Sequence, residues 1–151
     1  MADIANDSKG NPLVRSAGAN AAGFPQYTVW ENTFDAAEQI TTADGDVLTP
    51  FITIPKNTLV QGVFVEVITP EESVTLDVGD ATDPNGYVAA QSAAAAGVFQ
   101  GGGAYIAADT DTTAQEIPQF YTADTAIEVT VAGAAGTVVK FRVIVVGVNV
   151  G

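Results

Sequence analysis

The sequence predicts an all-β protein, an antiparallel β-sandwich or a jelly-roll-like barrel with an extended N-terminal arm. Three observations predict it. Valine-rich segments with two-residue alternation recur along the chain, clusters of Asp, Asn, Gly and Pro separate them, and no long stretch keeps a helical apolar period. The 151 residues suit one β domain over 26–151, preceded by a flexible arm over 1–25.

The arm has little to bury. Asn6-Asp7-Ser8-Lys9-Gly10-Asn11-Pro12 is built of turn formers, and Ala17 to Gly23 holds only Ala, Gly and Asn. Such a segment does not repay its ordering entropy alone, so it reads either as a disordered tail or as an arm that orders against a partner. Leu13, Val14 and Arg15 form its one adhesive point and are the candidate partner-binding residues.

The strands follow in order. In Tyr27 to Phe34, Thr28, Trp30, Asn32 and Phe34 share one side, and Trp30 is expected in the core. Val47 to Ile54 is a second run, closed by Pro55. Thr58 to Thr69 alternates clearly, with Val63, Val65 and Val67 on one side and Phe64, Glu66 and Ile68 on the other. Pro70-Glu71-Glu72 is a turn, after which Val74, Leu76 and Val78 alternate with Thr75 and Asp77. Tyr87-Val88 starts a short strand, Ala93 to Ala96 suits one helical turn, and Gly101 to Gly103 reads as a flexible joint. Ile117 to Tyr121 contains Pro118, which suggests an edge position. Ile127, Val129 and Val131 form the next apolar side, and Gly133 to Gly136 reads as a four-residue hairpin connection. The final strand, Thr137 to Val148, puts Val139, Phe141, Val143 and Val145 on one face. Lys140, Arg142, Ile144 and Val146 lie on the other, with the cations expected to meet water or an acid such as Glu128 on the paired strand. Two apolar residues opposite the core face suggest a surface covered by a barrel end, a second internal layer or another subunit.

Composition excludes much chemistry. There is no Cys and no His, which removes thiolate nucleophiles, disulfides, thiolate or imidazole metal sites and the usual proton shuttle near neutral pH. The net charge of −13 and five scattered cations argue against nucleic acid and anionic membrane as partners. Met1 to Gly10 lacks the apolar core of an export signal, and Val138 to Val150 is too short and too charged to span a bilayer.

Three constellations could carry chemistry. Asp77, Asp80, Asp83 and Asn85 gather oxygen ligands, although Asp and Asn are also what turns use and the spacing is not that of an EF-hand. Asp109, Asp111 and Asp124 offer carboxylate pairs of the kind that cleave glycosides, a combination any acidic chain presents by chance. Tyr27, Trp30 and Phe34 could stack a sugar. Tyr87, Tyr105 and Tyr121 sit beside turn segments, and Tyr105 and Tyr121 are the better candidates for subunit contacts. None of these makes an enzyme: no catalytic residue, metal site or cofactor is assigned.

Ile52-Thr53-Ile54-Pro55-Lys56-Asn57-Thr58-Leu59-Val60-Gln61-Gly62-Val63 resembles a phrase of small β-rich structural proteins of tailed bacteriophages. So do Leu76-Asp77-Val78-Gly79-Asp80, Asp83 to Val88, and Tyr121 to Thr130 followed by a Gly/Ala connection and a valine-rich strand. The resemblance covers about residues 48 to 150, to head decoration (cement) or head-fibre proteins, and its motifs are structural. It implies a virion protein made in the host cytoplasm and placed on the outer capsid surface. The implied partner is the major capsid protein, and the implied assembly is a homotrimer. The alternative is a carbohydrate- or receptor-binding module of a head fibre or tail.

Overall fold

The computed structural model describes residues 26–101 and 118–151. Nine strands run through them: β1 (Gln26–Asp35), β2 (Asp46–Ile54), β3 (Thr58–Thr69), β4 (Thr75–Asp80), β5 (Val88–Ser92), β6 (Gly97–Gly101), β7 (Gln119–Tyr121), β8 (Thr125–Ala132) and β9 (Lys140–Asn149). Every pairing is antiparallel. One sheet has the order β1-β9-β3-β6, with β7 also on β3, and the other has the order β2-β8-β4-β5. With the short β7 set aside, this is the two-sheet strand order of a jelly roll.

Alternation dictates which face each strand buries. Val63, Val65 and Val67 of β3 and Val139, Phe141, Val143 and Val145 in and beside β9 point inward from one sheet. Leu76 and Val78 of β4 and Ile127, Val129 and Val131 of β8 meet them from the other. Phe141 joins the layers: its ring lies 5.5 Å from Phe34 of β1 and 5.7 Å from Phe51 of β2. Trp30 points inward but only half-buried, packed against this core at its margin rather than within it.

Four expectations are corrected. Gly133 to Gly136 is not a hairpin, because β8 and β9 belong to opposite sheets. The segment carries the chain across the sandwich, so the inward residues of the two strands face each other instead of lying side by side. Lys140 and Arg142 therefore do not meet Glu128; their acids come from β1 and β3. Ala93 to Ala96 forms no helical turn. Ala93 is buried, donates its N–H to the Val74 carbonyl and accepts from the Glu71 N–H, which ties the β5–β6 passage to the sheet. Four alanines are too few to offset the cost of nucleating a helix. Gly101, expected in a flexible joint, ends β6 and packs so closely on Tyr87 and Val88 that a Cβ would collide with them.

The crossover from β8 to β9 is clamped by one carboxylate. Glu71, in the turn after β3, accepts from the N–H groups of Thr137, Val138 and Val139 at 2.8–3.1 Å and from the Thr137 hydroxyl at 2.6 Å. Gly133 begins the same crossover at φ 81, where a Cβ would collide with the Ser73 carbonyl oxygen. Burial works to raise the Glu71 pKa, but the hydrogen bonds from Thr137, Val138 and Val139 outweigh it and hold the carboxyl below its ordinary value.

Two outcomes follow for Glu71. Glu71→Ala is expected to lower folding stability by roughly 1 kcal/mol in urea titration, a modest loss because the site is open to water. Because the folded pKa is depressed, the contribution is present above pH 4.5 and lost as pH falls through the lowered folded value. The gap between wild type and Glu71→Gln in acid melting curves should therefore close in that window.

Candidate interaction surface

The side of β1-β9-β3 turned away from the core is ordered in rungs. The pairing registers place Tyr27, Val148, Leu59 and Phe120 side by side across four strands. Val29, Val146 and Gly62 form the next rung, and Glu31, Ile144, Phe64 and Gln100 the one after. Tyr27 and Phe120 are 58% and 44% exposed, and Val148 is left only 8% exposed by its neighbours although it lies outside the core cluster. A rim of two aromatics around packed Val, Leu and Ile is an apolar surface that water does not favour.

The far rungs are charged. Thr33, Arg142, Glu66 and Val98 make one, and Asp35, Lys140 and Thr69 the last. Arg142 donates through Nε to Glu66 at 2.8 Å and through a second nitrogen to the same oxygen, and it lies 3.9 Å from Glu31. Lys140 sits 3.5 Å from Asp35. The cations of this face are thus answered locally, leaving a sheet apolar at one end and charge-paired at the other. Ile144 and Val146, singled out in the sequence, belong to the apolar end, half-buried, and no second internal layer covers them among the described residues.

The acidic turn after β4 has a different role. The Asp80 carboxylate accepts from the N–H groups of Thr82 and Asp83 through Oδ1 and from the Tyr121 hydroxyl through Oδ2 at 2.8 Å. The Tyr121 and Tyr87 hydroxyls lie 2.6 Å apart. Gly79 lets the turn fold back, since a Cβ there would collide with the Asp83 carbonyl oxygen. Asp77 is drawn elsewhere, accepting from the Ala90 N–H at 2.5 Å. Asp80 and Asp77 therefore serve a turn and a neighbouring strand separately. Among the described residues, no group of three or more acids is placed to hold a metal ion. An open depression beside this turn, ≈ 520 Å³, is lined by acids that include Asp124, whose carboxylate accepts from the Lys56 N–H.

Tyr121, expected at a subunit contact, is instead buried, only 7% exposed, and closes one end of the core with Tyr87. Burial raises the pKa of both hydroxyls, and for Tyr121 the neighbouring Tyr87 and Asp80 raise it further. Both phenols stay protonated and donate at neutral pH. Leu13, Val14 and Arg15 lie outside the described residues, as do Tyr105, Asp109 and Asp111. Sequence reasoning missed Leu59 and Phe120 as surface residues. Alternation places them opposite the buried Thr58, Val60 and Tyr121, but the partners that join them into one rung come from pairing across strands distant in sequence.

Tyr121→Phe removes a donor from Asp80 and the partner of Tyr87, and is expected to cost about 1–3 kcal/mol in urea titration. Raised tyrosine pKa values contribute stability below pH 10, the ordinary value, and lose it as pH rises above that. Wild-type stability should therefore fall above pH 10 more steeply than that of Tyr121→Phe.

No protein-family model matches the sequence, and no curated protein matches it. The fold is similar to that of solved structures, two of which are phage capsid chains. One is a chain of the cyanophage Pam1 capsid asymmetric unit, with 23% identity and a TM-score of 0.58 over 82% of this chain and 85% of that one. The other is a chain of the capsid of Ralstonia phage GP4, with 21% identity and a TM-score of 0.56 over 99% of this chain and 96% of that one. At this identity the likeness establishes architecture: the two-sheet fold described here is also found in chains of phage capsids.

Proposed function

We propose that this chain is a structural virion protein, a decoration (cement) protein that binds the outside of an assembled phage head and stabilises it. The observation that carries the reading is the apolar end of the β1-β9-β3 sheet, an adhesive surface beside a charged end whose cations are paired. The fold shared with chains of two phage capsids supports it, as does the resemblance in residues 48 to 150. A protein that binds the assembled lattice and not free capsid subunits stabilises the lattice by mass action. Self-association would multiply the effect through multivalent attachment. The arm over 1–25 contributes a second contact through Leu13, Val14 and Arg15, ordering on the shell as it binds. The net charge of −13 keeps the free protein from DNA. A glycan-binding module calls for a ring of exposed aromatics at one end of a sandwich, whereas Tyr27 and Phe120 stand on a sheet face.

The test uses heads assembled without this protein. Adding the purified full chain, pelleting the heads and measuring bound copies should give saturable binding and a higher temperature of head disruption. Deleting residues 1–20 should leave the melting of the free protein unchanged and weaken attachment, and Phe120→Asp should weaken it by roughly tenfold. Undiminished attachment of the truncated chain removes the arm's role. Absence of head binding by the full chain overturns the reading.

A further inference from the structure

Edge strands carry unpaired N–H and C=O groups that recruit other chains, and folded proteins blunt such edges. Among the described strands, all edges but one are blunted. β2 contains Pro50 and breaks register between Leu48 and Ile52. β5 has five residues, with Ala90 at φ 48 and a register shift opposite β4. β6 has five residues bounded by glycines, and β7 has three that follow Pro118. β1 is different: ten residues without Pro, Gly, Lys or Arg, in unbroken register with β9.

Hydrogen bonds show which of its main-chain groups face outward. The Ala36 N–H donates to the Val139 carbonyl at 3.0 Å, so the even-numbered residues turn their main chain toward β9. The odd-numbered residues turn theirs to the open side. There the Asp35 N–H donates to Gln39 Oε1 at 2.7 Å, and the Thr33 N–H to Asn32 Oδ1 at 2.9 Å. The Asp35 carbonyl accepts from the Gln39 N–H at 2.8 Å. Local groups thus stopper the charged half of the edge. Tyr27, Val29 and Glu31, on the apolar half, present N–H and C=O to the same side with no such stopper among the described residues.

We propose that β1 pairs with β1 of a second copy of this chain, antiparallel about a two-fold axis at Val29. Val29 then lies opposite the partner's Val29, and Tyr27 opposite the partner's Glu31. All three open residues exchange both main-chain hydrogen bonds, giving about six in total. Other registers do less well. Centring on Glu31 sets two carboxylates face to face, centring on Tyr27 brings in Pro25, which has no N–H, and centring on Trp30 needs the Thr33 N–H that Asn32 already holds. The chosen register also puts the Tyr27 hydroxyl, a donor, beside the partner's Glu31 carboxylate, and it joins two apolar faces into one. A self-complementary patch of this kind closes as a dimer rather than as the trimer that the resemblance implies. The proposal does not depend on the capsid role, and its test uses free protein.

The chain has no cysteine, so single introduced cysteines report pairing directly. Directly opposed residues of a hydrogen-bonded antiparallel pair lie about 5.5 Å apart at Cα, within disulfide reach. Val29→Cys should oxidise to a linked dimer. Tyr27→Cys alone should not link, but should do so when mixed with Glu31→Cys. Val29→Pro, which removes the outward N–H from each copy, should raise the dimer dissociation constant roughly tenfold or more in sedimentation equilibrium. The cysteine result decides the matter even where Val29→Pro lowers folding stability. A wild-type chain that is monomeric at all concentrations, or an oligomer in which Cys at position 29 does not cross-link, overturns the proposal.

Discussion

The fold depends on a dry layer of branched side chains held between two sheets, with Phe141 in contact with an aromatic ring of each. Valine dominates this layer because a β-branched side chain fits the pleat and has few rotamers to lose. Each sheet can keep its inward face only while the other covers it. That makes the passages between sheets as important as the strands. The Glu71 clamp on 137–139 and the Ala93 bonds to Val74 and Glu71 hold two of those passages in place.

Polar groups near the core are used for closure. Asp80, Tyr121 and Tyr87 form a hydrogen-bonded chain that satisfies buried oxygens at one end of the sandwich. Burial keeps the phenols neutral, which suits a plug and not a proton shuttle. In the acidic turn that resembles a ligand set in sequence, Asp80 Oδ1 accepts from main-chain N–H groups of its own loop.

The opposite balance holds on the outer side of the β1-β9-β3 sheet. Arg142 and Lys140 are neutralised by Glu66, Glu31 and Asp35, so the charged end offers no strong field to a distant partner. The apolar end offers contact area, and the open stretch of β1 offers directional hydrogen bonds.

The class of the fold and most inward residues can be read from alternation and turn spacing alone. Two-residue alternation assigns Val63, Val65 and Val67, or Ile127, Val129 and Val131, to a buried face whatever their neighbours, because successive side chains of a strand point to opposite sides. The sequence also placed β7 at an edge through Pro118. It did not determine which strands pair. Alternation in β8 and β9 is the same for a hairpin and for a crossover between sheets, and a run of four alanines carries no record of the sheet beside it. Those points are set by packing, since pairing is a choice among strands distant in sequence. For the same reason Tyr27, Leu59, Phe120 and Val148 become one surface only when four strands lie side by side. An adhesive face is a property of register, and register is settled by the packing of the whole sandwich.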